Sequence, residues 1–162
     1  MDARQAAQAI LQRVWKTRGF PVDPVTIARE LGLEVMDTDL PDQVSGALLK
    51  EAGKDPVIVL HYADHPKRKR FTCAHELGHF VYRNEQNVLD EEYSYLDLRS
   101  PASSTGEEIE EVMANRFAAH LLMPEEEVEK LHAKKTSHLD MALYFDVSSE
   151  ALKYRLKNMG LI

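Results

Sequence analysis

Apolar positions recur at helical spacing towards both ends of the chain and alternate or run together between them. Ala6, Ala7, Ile10, Leu11, Val14 and Trp15 predict an amphipathic helix from residue 3 to about 18, with Gly19 at its stop. Asp23 is placed to cap, and Pro24 to open, a short helix through Ile27, Ala28 and Leu31 that Gly32 closes. That segment has a faint helix-turn-helix look, but a packing helix is the better reading. Leu33 to Met36, Val44 to Lys50 and Pro56 to Tyr62 read as short strands. The third carries a continuous Val57-Ile58-Val59-Leu60, as a buried strand would. Glu51 to Asp55 suits a hairpin connection between the second and third strands. The pattern does not say which strand is the edge, the place where an extended substrate would add.

A helix follows, containing Phe71 to Phe80 and able to run on through Tyr82. Asn84 to Tyr95 is acidic and irregular, like a loop that shapes a cleft, and Tyr93 to Leu98 is a further candidate strand. Pro101 to Gly106 breaks the chain, and Ser104 or Thr105 is placed to cap a helix running from the early glutamates to Met123. The last residues read as helices: Leu139 to Phe145, a turn at Asp146 to Ser148, then Ser149 to Asn158 ending at Gly160. The fold class expected is α+β. Residues 1–124 would form a body with N-terminal helices, and residues 125–162 a helix-turn-helix-like subdomain packed on it.

Composition narrows the setting. A chain of 162 residues with 44% hydrophobic content fits one globular domain with a real core. The single cysteine, Cys73, forms no intramolecular disulfide and reads as a small buried thiol, which fits a reducing compartment. The first residues lack a charged-then-apolar leader pattern, and no apolar run approaches the roughly 20 residues of a membrane helix, so a cytoplasmic protein is expected. A formal net charge of −7 argues against broad nucleic-acid affinity. Lys67 to Arg70 reads as a solvated basic turn, with a lure for an acidic substrate segment as the alternative.

The candidate chemistry lies in His75-Glu76-Leu77-Gly78-His79. Positions four apart sit about 40° apart on one helix face, so His75 and His79 can point imidazoles at one metal ion. Glu76, about 100° round, can reach a water beside that ion. His61 and His65 are also four apart, but on a strand end and a loop, and read as ordinary histidines. Tetrahedral zinc in such a site needs a third protein ligand. The extended motif with a glycine and a third histidine is absent, since Tyr82 and Glu85 stand at those positions. Glu111 is favoured as the ligand, because Asn115 lies one turn on along the same face and could hold a ligand histidine. Spacing leaves Glu107 and Glu108 open, points Glu110 about 100° away and makes His120 a poor candidate.

The two blocks, Phe71-Thr72-x-Ala74-His75-Glu76-Leu77-Gly78-His79 and Glu111-x-x-Ala114-Asn115-x-Phe117-Ala118-Ala119-x-Leu121-Leu122-Met123-Pro124, together resemble the ImmA/IrrE family of metallo-endopeptidases. The resemblance implies one zinc ion on His75, His79 and Glu111, Glu76 as general acid/base, and Asn115 in support. It implies the minimal fold of thermolysin-like gluzincins, and a role in cleaving a helix-turn-helix repressor so that the genes it silences are released. An oxyanion donor would be needed, and Tyr82, Tyr93, Tyr95, His132 and His138 are all open. The competing reading is a DNA- or protein-binding regulator with a mainly structural zinc. On the last helix Lys153 and Lys157 share a face, but Arg155 is about 200° from Lys153, so DNA binding is the weaker alternative.

Overall fold

The computed structural model describes residues 1–86, 92–98 and 108–162. Helix α1 (Ala3–Ile10) runs into a π-helical turn (Leu11–Trp15), followed by α2 (Pro24–Glu30), β1 (Glu34–Thr38), β2 (Val44–Lys50), β3 (Val57–His61) and α3 (Pro66–Glu85). Strand β4 (Tyr93–Leu98) and helices α4 (Glu108–Leu122), α5 (Glu125–Ala133), α6 (His138–Phe145) and α7 (Ser149–Asn158) complete the α+β fold. The first helical segment stops at Trp15, short of the expected residue 18. Lys16 N–H closes a wide turn on Leu11 O, and the Trp15 indole donates to Gly19 O at 2.7 Å. Asp23 caps α2 as expected, accepting from Val25 N–H at 3.0 Å. The expected cap at Ser104 or Thr105 and most of the acidic loop lie outside the described residues.

The sheet order is β1-β3-β2-β4, with β1 parallel to β3 and the other pairs antiparallel. The pleat puts Val35, Ile58, Leu48 and Tyr95 in one row across all four strands. Ile58 and Leu48 in that row are fully buried and join the core with Leu60, Cys73 and Leu77. The edges are therefore β1 and β4. Along β4, Tyr93, Tyr95 and Asp97 are half-buried and Ser94, Leu96 and Leu98 exposed. This strict alternation aims three polar-tipped side chains away from the solvent face.

Two glycines set how closely α3 is packed. A Cβ on Gly46 of β2 would stand 2.5 Å from Thr72 Cγ2 and 2.8 Å from Val59 O, so α3 crosses the sheet where that strand has no side chain. On the opposite side of α3, a Cβ on Gly78 would stand 3.0 Å from Ala114 Cα and 3.1 Å from Phe117 Cδ1. Phe117, Ala118, Leu121 and Leu122 of α4 share the core with Met141, Phe145, Leu152 and Leu156 of α6 and α7.

The basic run 67–70 is helical rather than a turn, and Arg68, Lys69 and Arg70 have partners within the fold, while Lys67 and Arg68 also line an open groove. His65 caps α3 by accepting from Lys67 N–H at 3.1 Å, Pro66 opens the helix, and the run forms its first turns. Arg68 donates to Ser45 Oγ at 2.9 Å and Lys69 pairs with Asp37 at 2.7 Å. Arg70 donates to the carbonyls of Val22, Phe145 and Asp146 and pairs with the Asp146 carboxylate at 3.2 Å. Cations at a helix N-terminus are unfavourable to the dipole, and these tertiary partners offset that. A methyl group at Gly78 would press on the α4 backbone at 3.0 Å, an overpacking of about 1–3 kcal/mol that should outweigh the roughly 1 kcal/mol alanine gains inside a helix, so Gly78→Ala should lower the urea midpoint.

Candidate metal centre

Helices α3 and α4 run antiparallel, so a step of one turn along α3 is matched by a step back along α4. His79 therefore faces Glu111, and His75 faces Asn115. His75 Nε2 lies 3.1 Å from Glu111 Oε2, His79 Nε2 lies 3.1 Å from Glu111 Oε1, and the two Nε2 atoms are 3.2 Å apart. Both histidines are buried, at 3% and 1% exposure, while Glu111 is half-buried.

The outer nitrogens settle which way the rings present themselves. His75 Nδ1–H donates to Asn115 Oδ1 at 2.9 Å, and His79 Nδ1–H donates to Glu110 Oε1 at 3.2 Å. Each outward donor leaves an Nε2 lone pair facing inward. Two such nitrogens at 3.2 Å, with a carboxylate oxygen against each, require positive charge among them, supplied either by ring protons or by a bound cation. Tetrahedral zinc with bonds of about 2.0–2.1 Å would space its ligand atoms about 3.3 Å apart. The nitrogen and oxygen donors present, and their spacing, fit such an ion.

Glu76 is fully buried, and neither carboxylate oxygen has a hydrogen-bond partner among the described residues. Burial pushes its pKa up to about 8, with Asp97 and Glu111 adding to the rise and His75 opposing it. Asp97 of β4 is brought to the same place: ligand atoms of His75, Glu76 and Asp97 lie within 4.8 Å of one another. Burial alone would lower both histidine pKa values, but Glu111, joined at His79 by Glu110, holds both above the ordinary value. The Glu111 carboxylate, which burial would raise, is pulled down to about 2 by the same two imidazoles.

The candidates from the sequence are thus sorted by position. Glu85, at the far end of α3, lies 3.9 Å from the N-terminal ammonium. Glu107 and the side chain of Glu108 lie outside the described residues. His120 accepts from Arg155 at 3.1 Å, and burial with that cation lowers its pKa to about 4, so it is a neutral acceptor. His61 accepts from Ala63 N–H at 3.2 Å. Two groups were missed. Glu110 was set aside because it points away from the donor cluster, yet that direction takes it to His79 Nδ1. Asp97 carried no signal except alternation along a short strand. A groove of about 1400 Å³ opens from Thr72, Asp97 and Asn115 and continues past Met123 to Tyr154 and Asn158 of α7.

The cluster has a pH signature. Glu76 binds its proton more tightly folded than unfolded between pH 4.5 and about 8, and His75 and His79 do so above their ordinary 6.5. Below pH 6.5 His120, held down at about 4, binds its proton less tightly folded than unfolded and offsets Glu76; above 6.5 the folded state holds more protons than the unfolded one, and stability falls as pH rises. For chelator-treated protein the urea midpoint should drop between about pH 6.5 and 8, the unfolding free energy falling by up to about 1.4 kcal/mol per pH unit for each group titrating. Glu76→Gln should flatten that slope.

The description "IrrE N-terminal-like domain" of the M78 peptidases matches residues 28–157. The radiation response metalloprotease IrrE of Deinococcus radiodurans is 30% identical over 107 residues, which are 62% of this chain and 30% of that protein. The chain thus spans about a third of the length of that curated relative. A Mycobacterium tuberculosis transcriptional regulator of known structure shares the fold with a TM-score of 0.64, over 95% of this chain and 46% of its own, at 18% identity. Since the matched residues include α3 and all of α4, and so every donor in the cluster, the chain belongs to the ImmA/IrrE family of M78 metallopeptidases.

Proposed function

We propose that the protein is a zinc-dependent endopeptidase that cuts one peptide bond in a helix-turn-helix repressor and so relieves repression. The observation that carries the reading is the convergence of His75, His79 and Glu111 beside a buried, unpartnered Glu76 carboxylate. Those three residues would hold one zinc ion, whose chemistry when bound is Lewis acidity toward a water and toward a carbonyl oxygen. Glu76 supplies the proton transfers. Its carboxylate takes a proton from the attacking water and returns it to the nitrogen of the leaving amine, a role suited by two carboxylate oxygens that have no partner among the described residues. Asn115 and Glu110 orient the two imidazoles through their Nδ1 atoms.

Substrate placement follows from the sheet. Strand β4 passes the site, pairs on one side with β2, and has no further strand on its other side among the described residues. An extended segment adding there would be held by main-chain hydrogen bonds. The groove leading to α7 would take the part of the repressor beyond that segment, and residues 125–162 would serve as its docking subdomain. Family membership, a metalloprotease relative and a fold shared with a transcriptional regulator support this reading. The DNA-binding alternative has lost a cation: Arg155 is only 6% exposed and is spent on Met123 O at 3.0 Å and on His120. No helix among the described residues is long and apolar enough to cross a membrane.

The test pairs the zinc-loaded protein and its Glu76→Gln variant with the helix-turn-helix regulator encoded nearest its gene, with fragments followed by mass spectrometry. A single cut is expected with the unmodified protein. The variant should keep its zinc and lose about 10²- to 10⁴-fold in rate. Cleavage by both proteins alike would overturn the role given to Glu76, and intact regulator throughout would overturn the choice of substrate.

A further inference from the structure

His79 is held on more sides than His75. Its Nδ1 meets Glu110, and the ring of Tyr95 lies on its face, with centroids 4.4 Å apart and planes 17° from parallel. The Tyr95 hydroxyl accepts from Arg83 Nε at 2.6 Å and also hydrogen-bonds Glu110. That places it on the Nδ1 side of His79, away from the convergent Nε2 atoms, and engages it with groups other than a substrate oxyanion. Arg83 in turn lies over the Tyr93 ring, 4.8 Å from its centroid.

The hydroxyl stands where it controls a choice. Arg83 attracts the Glu110 carboxylate electrostatically, and a direct Arg–Glu ion pair would draw Glu110 away from Nδ1. With the hydroxyl between them, accepting from the guanidinium and bonding to the carboxylate, both charges are satisfied while Glu110 stays on His79. The aromatic face limits rotation of the imidazole about its own axis.

We propose that Tyr95 is a positioning residue of the metal centre, fixing the plane of His79 by stacking and the direction of its Nε2 lone pair through Glu110. The inference rests on the metalloprotease reading given above. It gives β4 a second task, since the strand proposed to receive substrate also supports a metal ligand.

The test measures zinc affinity by competition with a chromophoric chelator, and the visible absorption of the cobalt(II)-substituted protein, for four proteins. They are the unmodified chain, Tyr95→Phe, Tyr95→Leu and Leu96→Ser, the last a control on the outward face of the same strand. Tyr95→Phe keeps the ring and removes only the hydroxyl, so its fold is retained even if Tyr95→Leu does not fold. Tyr95→Phe should bind zinc about 10- to 100-fold more weakly and shift the cobalt bands, with Leu96→Ser unchanged on both counts. Urea midpoints of the chelator-treated Phe variant and unmodified chain should agree. Unchanged affinity and spectrum in Tyr95→Phe would overturn the proposal and leave the metal centre standing. Failure of the unmodified chain to take up zinc or cobalt would instead overturn the metalloprotease reading on which it rests.

Discussion

Two antiparallel helices touch where Gly78 faces Ala114, and a missing side chain there lets two buried imidazoles and the half-buried Glu111 carboxylate come within 3.2 Å of one another. Like lone pairs do not gather in a protein interior without a reason, because each has lost its water. Everything else near the centre holds that arrangement in place. Asn115 and Glu110 take the outer ring protons, Glu111 spans both imidazoles with its two oxygens, and Glu76 is left buried with no partner among the described residues. The site is defined by contact between helices and would not survive in either one alone.

The contact is in turn held from outside. On one side α3 sits in a notch at Gly46 of β2, with Leu48, Ile58 and Leu77 closing the core beneath it. At its start, Arg70 reaches backbone carbonyls on either flank, joining the segment before α2 to the end of α6. On the other side Arg155 ties α7 to the end of α4 at Met123 O. Arg70 and Arg155 are therefore engaged within the fold, while Lys153 and Lys157 stay exposed on α7.

The fourth strand joins the proposed substrate edge to the candidate metal centre. Its alternation sends Tyr95 and Asp97 towards the donor cluster while Leu96 faces out, and its position at the sheet edge leaves backbone groups for an added strand. One short element therefore meets a proposed metal ligand with its side chains and faces the proposed substrate with its main chain. In a domain of this size such double use follows from geometry, because few elements pass close to any one buried point.

The chain by itself determined what depends on near neighbours. Helical spacing put His75 and His79 on one face, Asp23-Pro24 marked a helix start, and apolar runs and hairpin residues marked the strands that the fold contains. Glu111 was favoured over its neighbours through its one-turn relation to Asn115, because periodicity along one helix is a local property. The tertiary structure decided what depends on partners distant in sequence. It chose β1 and β4 as edges, since strand order is set by which faces can be buried together rather than by any one strand's pattern. It placed Lys67 to Arg70 in the first turns of α3 and tied Arg68, Lys69 and Arg70 to Ser45, Asp37 and Asp146, partners that lie far away in sequence. It moved Glu110 from the discarded set to His79 Nδ1, since a side chain pointing away from one atom of a ring can still meet another. It also brought in Tyr95 and Asp97, whose role appears only once the pleat of β4 is laid against α3.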